Sequence, residues 1–258
     1  MKTRINLINV SINVFFSLIF FIFFIGYQCK YLKPAYCKIN FFESFFYENG
    51  FVENLQSLFL LISIYYLIIS FKKFSLKKII QIFLLLKISA LIYYLGEEIS
   101  WGQHFFKWVS PEFFLENNNQ GETNLHNISN LLDQLPRTLV MLWCSFIPII
   151  FYFIRKNFSF SYETKLIFIP NDQLLKISII FLFIFLPDFF IDKLSLHPGH
   201  VINGKDIPES VFYDIISLNF LRLSEVHELV FCFYFFIYSL AFNRAIYDQS
   251  KISLIQNN

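Results

Sequence analysis

Six apolar runs, each roughly twenty residues long, leave this chain few folds to choose from. They lie at about 8–27, 51–71, 79–104, 135–154, 174–190 and 226–246. An apolar run of about 18 residues or more is the length of helix that crosses ~30 Å of hydrocarbon. Composition points the same way. Of the residues, 56% are hydrophobic, only 16% are charged, and mean hydropathy is +0.53. A soluble domain carries about 25% charged residues. The expected fold is an all-α integral membrane protein, a single polytopic domain over residues 1–258. About six transmembrane helices form the bundle, with an interfacial or re-entrant segment between the third and fourth. The Phe, Ile, Lys and Asn excess also fits an AT-rich genome, so aromatic abundance carries no functional weight by itself. Lys2 and Arg4 ahead of the first run imitate a signal peptide. That run is long enough to span, however, and "FIGYQCKYL" has no A-x-A-like cleavage site, so it is expected to remain as an anchor.

Lys and Arg in the short loops set the expected orientation. One side carries 12 of them, including the tight "FKKFSLKK" loop, and the other carries 8, with Lys87 inside the third run. Both termini are therefore expected in the cytoplasm, in a bacterial inner membrane. By the same topology, 16 of the 19 Asp and Glu and all five His fall on the outer side or its membrane boundary. The net charge of +2 gives no reason to expect a nucleic-acid partner. Cys29 and Cys37, in the first outer loop, can pair in an oxidising compartment or remain free. Cys144 and Cys232 fall within spans and read as small apolar fillers.

The outer end of the third run reads "YYLGEEISWGQHFF", placing Glu97 and Glu98 at membrane depth. From Ile79 to Glu97 is about 27 Å of helix, inside a core of about 30 Å. Intramembrane carboxylates usually face a bundle interior or a wet cavity; solvated interfacial glutamates are the plain alternative. If the helix continues through "ISWGQHFFKW", then Tyr93, Glu97, Ser100 and His104 share one face, and Glu98 points elsewhere, beside Gly102. Gly102 would admit another helix. The following "SPEFFLENNNQGETNLHNISNLL" is polar, with Thr123 as an expected helix N-cap. Glu122, His126 and Asn127 can reach back toward Glu97, or belong to an ordinary connector.

"GEEISWGQ" followed by Asn118-Asn119-Gln120-Gly121-Glu122-Thr123-Asn124-Leu125-His126-Asn127 resembles a family of uncharacterised bacterial multi-spanning inner-membrane proteins. "YENGFVENLQSLFLLIS" and "LSEVHELV" are similar to that family as well. Together these patches cover about a quarter of the chain. The family usually carries Arg where this chain has His104, so the resemblance argues against His104 as an essential ligand. It implies no activity.

Further polar groups fall on the same side. Asp188 and Asp192 share a helix face, and "HPGH" brings His197 and His200 together at a turn. Glu225 and Glu228 open the last run, where acids suit the helix dipole, with His227 between them. A divalent metal is possible, with His126 and His227 as the candidate ligands. Without one, Glu97 and Glu98 can divide the work, one protonated and the other ionised. The expected site then has Glu97, Glu98 and Ser100 as catalytic groups. Trp101, Gln103, Glu122, His126, Asn127, Asp188 and Glu228 are expected to bind substrate. A hydrolase or transferase acting on a lipid or lipid-linked substrate fits best. A transporter or proton-coupled carrier using Glu97, Glu98 and Lys87 remains open, as does a non-catalytic envelope scaffold. Lys87 lies about 15–16 Å along the helix from the glutamates, too far to pair, and is expected to snorkel toward the cytoplasm.

Overall fold

Where no water can satisfy the backbone, a lipid-spanning chain must bond within its own helices. The computed structural model describes residues 7–28, 50–74, 76–118, 121–155, 157–193, 201–202, 205–206 and 223–256. Its long helices are α1 (Leu7–Tyr27), α2 (Phe51–Lys73) and α3 (Lys78–Glu98). Two short ones follow, α4 (Gln103–Phe106) and α5 (Glu112–Asn117). Next come α6 (Asn130–Met141), α7 (Ile147–Ile154), α8 (Tyr162–Phe168), α9 (Gln173–Lys193) and α10 (Leu223–Gln256). A two-residue antiparallel ladder, Val201–Ile202 with Lys205–Asp206, is the sole strand pairing among the described residues. Six segments are long and apolar enough to cross a membrane. Large side chains such as Phe20, Leu86 and Phe183 stand exposed along them, as lipid-facing positions do. The protein is an all-α bundle of integral membrane type.

α10 is the centre of that bundle. In its apolar window 72% of residues are buried, against 28–33% for the other five. Its sequence explains this, because Phe231, Phe233, Tyr234, Tyr238 and Phe242 are apolar around the whole circumference, and an all-round apolar helix belongs inside. α2 packs along it most extensively. Phe59 meets the Phe233 and Phe236 rings, and Phe15 of α1 stacks on Phe233 at 3.7 Å. Polar contacts pin both ends of the α2–α10 seam. Gln56 Nε2 donates to the Glu225 carbonyl (3.0 Å), and Asn243 Nδ2 donates to Ser70 Oγ (2.9 Å). Both contacts advance together along the two chains, so α2 and α10 run parallel. Their N-termini meet at the end of the bundle where α3 stops at Glu98.

The third run does not continue as one helix to 104. It ends at Glu98, and Ser100 (φ 44°), Trp101 (φ 53°) and Gly102 (φ 92°) adopt left-handed conformations before α4 resumes. Three such residues in succession cannot propagate an α-helix. The face expected to join Tyr93, Glu97, Ser100 and His104 therefore does not form. Gly102 serves the turn rather than helix packing. The glycine that admits a close neighbour is Gly96, where a Cβ would lie 2.8 Å from the Trp101 ring.

Between α6 and α7, Leu142–Phe146 forms a π-helical turn in which the Ile147 amide donates to the Leu142 carbonyl. Pro148 has no N–H, so the Cys144 carbonyl four residues earlier loses its α-helical donor. Ser178 Oγ of α9 donates to that carbonyl at 2.5 Å. α6 is capped by Ser129, whose Oγ accepts from the Leu132 amide (3.3 Å), and not by Thr123. α8 and α9 together make the fifth candidate span, Tyr162–Ile184. Near their junction, Tyr238 Oη donates to the Ile167 carbonyl at 2.6 Å. Cys144 and Cys232 are free and buried, as apolar fillers would be. Cys29, Cys37, His197 and His200 lie outside the described residues, as do the side chains of His104, Asp188 and Asp192.

Candidate functional site

The break after α3 turns the chain back, and the "GEEISWGQ" and "GETNLHN" segments close on each other through hydrogen bonds. Glu97 is the centre of this knot and is 5% exposed. Its Oε1 accepts from Trp101 Nε1 (3.0 Å). Its Oε2 accepts from the Leu125 amide (2.7 Å) and the His126 amide (3.0 Å), with His126 Nδ1 at 3.4 Å. Ser100 Oγ donates to Glu122 Oε2 (2.7 Å), and Asn124 Nδ2 reaches both of those oxygens. Asn118 Nδ2 holds Asn124 Oδ1 at 2.7 Å, and Gln103 Oε1 accepts from the Thr123 amide at 2.7 Å. Ser110 Oγ donates to the Gly121 carbonyl at 2.7 Å. Buried polar groups need partners, and here the motif supplies them to itself. Its charged and amide residues are spent on holding a cap over the end of α3.

Beneath the cap lies a cavity of about 470 Å³. Four elements reach it: the C-terminal half of α3, the first turn of α2, α6, and the first turns of α10. They bring Glu53, Glu98, Glu225 and Glu228 to one cavity with Arg137, while Glu97, Glu122, His126 and Asn127 form its capped edge. Arg137 Nη2 donates to Glu228 Oε1 at 2.6 Å. Glu98 shares this space with the like charges of Glu228, Glu225 and Glu53 and the opposing charge of Arg137. It makes no hydrogen bond among the described residues. The cavity thus gathers four carboxylates with one guanidinium, a concentration of like charge in which each carboxylate favours protonation of the others. The remaining walls are apolar, including Ala90, Leu91, Leu132, Leu139, Val140 and Phe231.

Lys87 also lines this cavity, about 16 Å along α3 from Glu98 at 1.5 Å per residue. It does not snorkel outward. The residue is 8% exposed, and its ammonium sits over the rings of Tyr238 (3.4 Å), Trp143 (4.7 Å), Phe235 (5.2 Å) and Phe83 (5.5 Å). A lysine near the middle of α3 faces the central helix, so its stem points away from lipid and toward aromatic faces that hold a cation.

Of the residues expected from sequence, Glu97, Glu98, Glu122, His126, Asn127 and Glu228 line the cavity. Ser100 is 1% exposed and, like Trp101 and Gln103, belongs to the cap rather than to the cavity lining. His126 and His227 are not brought together. His126 lies on Glu97, whereas His227 packs edge-on to Phe181 of α9 and is not among the residues that line the cavity. Among the described residues no three His, Cys, Asp or Glu are grouped as a metal ion requires. Sequence reasoning did not single out Arg137 and expected Lys87 to snorkel away from the cavity it lines. Their available signal was a single cation inside an otherwise apolar run, which in a membrane helix needs an internal partner. Comparison with protein-family models, curated proteins and solved structures finds no match to this chain.

Proposed function

We propose that the protein is a membrane-embedded hydrolase or transferase acting on a lipid or lipid-linked substrate, with Glu98 as its general acid–base group. The supporting observation is the position of Glu98, a carboxylate with no hydrogen-bond donor among the described residues, in a cavity shared by Glu53, Glu225, Glu228 and Arg137. Glu97 spends three of its roughly four acceptor sites on the Trp101, Leu125 and His126 N–H groups, whereas Glu98 accepts from none of the described residues. In the ionised form it takes the proton of an attacking water or substrate hydroxyl, and it returns that proton to the leaving oxygen. Arg137, held by Glu228, stands where it can meet developing negative charge. The apolar walls suit an acyl or prenyl chain. The distribution of Lys and Arg favours a cavity opening away from the cytoplasm with both termini cytoplasmic, in a bacterial inner membrane.

The test is Glu98→Gln in the full chain. The expected result is loss of the lipid product that distinguishes expressing from non-expressing cells, with expression and thermal stability retained. An unchanged lipid profile in both Glu98→Gln and Glu97→Gln cells would sink the catalytic reading. One observation favours a second reading, a carrier. Lys87 places a cation near the middle of α3 in the same cavity, a depth at which carriers bind solute. Uptake into proteoliposomes that disappears in Lys87→Ala would select transport over chemistry.

A further inference from the structure

The cavity beneath the cap reaches the lipid-facing surface of the bundle along one side. Its exposed lining residues are Ala90 and Tyr93 of α3 with Leu132, Pro136 and Leu139 of α6, and they come from no other element. Leu139 is 58% exposed, Leu132 41% and Tyr93 40%. Steps of three and four residues keep each set on one face of its helix. α3 runs toward the cap and α6 away from it, so the two stripes bound a slot that descends about 10 Å along α6 from Leu132 to Leu139. α3 and α6 do not pack along one another among the described residues. α6 is tied instead to α10 through the Arg137–Glu228 ion pair. The back wall of the slot is Phe231 and Phe235 of α10, which are buried. Ala90 lies about 12 Å along α3 from Glu98, within a segment long and apolar enough to cross the ~30 Å of hydrocarbon. At that depth the medium outside the slot is acyl chain. Leu91, Leu139, Val140 and Phe231 give water too few polar partners to fill the space between them.

We propose that the gap between α3 and α6 is a lateral portal, through which one acyl chain of a membrane-resident amphiphile enters the cavity and lies against Phe231 and Phe235 with its polar end under the cap. The proposal rests on the lipid reading of the cavity and adds the route, since the ligand arrives sideways from the leaflet without leaving the bilayer. Moving a chain from hydrocarbon into an equally apolar slot carries no hydrophobic cost, and the two phenyl rings supply dispersion contacts in place of neighbouring lipid. A cavity of about 470 Å³ is of the size that holds small ligands, about 300–1,000 Å³. Neither chemistry at Glu98 nor transport is required for the chain to enter.

The test is photolabelling of the full chain in phosphatidylglycerol nanodiscs doped with the same lipid carrying a diazirine near the end of one acyl chain. Labelled positions are read by peptide mass spectrometry. Phe231 and Phe235 are expected to be labelled, whereas Phe242, a buried residue of α10 outside the cavity lining, is not. Ala90→Trp and Leu139→Trp each fill the slot from one side and should bring Phe231 and Phe235 down to the level of Phe242. Both are made so that a variant with wild-type thermal unfolding is available. Ile92→Trp, at an exposed position of α3 outside the lining, should leave the label in place. A second arm adds a diazirine fatty acid to unlabelled nanodiscs; labelling of the wall there, but not by the phospholipid, assigns the chain to a free acid. Unlabelled Phe231 and Phe235 in both arms overturn the proposal, as does labelling that the portal variants leave unchanged. Cross-links between two Leu139→Cys copies, with the wall unlabelled, would put a second chain over the slot instead. Wall labelling with an unchanged lipid profile in Glu98→Gln cells keeps the portal and removes the catalytic reading, and a product lost in Glu98→Gln with the wall unlabelled does the reverse.

Discussion

Replacing Glu97 should free the cap over the cavity without unfolding the bundle. The carboxylate accepts three N–H groups, from Trp101, Leu125 and His126. In Glu97→Gln the best arrangement turns the amide oxygen toward Leu125 and His126 and leaves the amide NH2 facing the Trp101 indole N–H, donor against donor. One hydrogen bond to a charged group is lost, worth about 2 kcal/mol, or about 30-fold in the opening equilibrium of the loop. Glu97→Ala removes all three acceptors and should open the 121–129 segment almost completely. Hydrogen exchange read by mass spectrometry is the assay, following peptides that contain Leu125 and His126. Their protection should fall about 30-fold in Glu97→Gln and vanish in Glu97→Ala. Amides along the α2–α10 seam should exchange as in wild type. Wild-type exchange of the loop in Glu97→Ala would refute the latch. Intact protection with activity lost in Glu97→Gln would instead assign Glu97 a chemical role.

Two further substitutions test the backbone. Gly96→Ala places a methyl 2.8 Å from the Trp101 ring, so the indole must move, at a cost of about 1–3 kcal/mol. Thermal unfolding should show the loss, and the same substitution in a Trp101→Ala background should cost nothing further. Ser178→Ala removes the donor that reaches the Cys144 carbonyl and should cost about 1–2 kcal/mol. Adding Pro148→Ala restores an N–H near that carbonyl, so the double variant should lose at least about 0.5 kcal/mol less than the sum of the singles; strict additivity would show that the proline is not the reason for the contact.

Hydropathy alone was enough to place six spans, because transfer of an apolar helix into hydrocarbon depends on its own residues and needs no partner. All six predicted runs fall on helices, and the return of Glu122, His126 and Asn127 toward Glu97 was one of two readings the spacing left open, with Glu98 assigned to another face. What periodicity could not show was the break at Ser100. Helical spacing assumes continuing right-handed backbone, whereas Trp101 folds over Gly96 to reach Glu97 in a contact that exists only once the turn has formed. The identical chemistry of the two adjacent glutamates hid their different fates for the same reason.

The sequence by itself determined a helical membrane bundle and a concentration of carboxylates near the ends of particular helices. Those properties follow from local composition and length. Only the tertiary structure decided that Glu97 is held by the cap and that Glu98 accepts no hydrogen bond from the described residues. It also decided that Arg137 pairs with Glu228 across ninety-one positions of sequence separation, and that Lys87 turns inward to four aromatic rings. The physical reason is that a buried charge takes its character from whichever groups surround it. In this protein those groups arrive from α2, α6 and α10, far along the chain from α3.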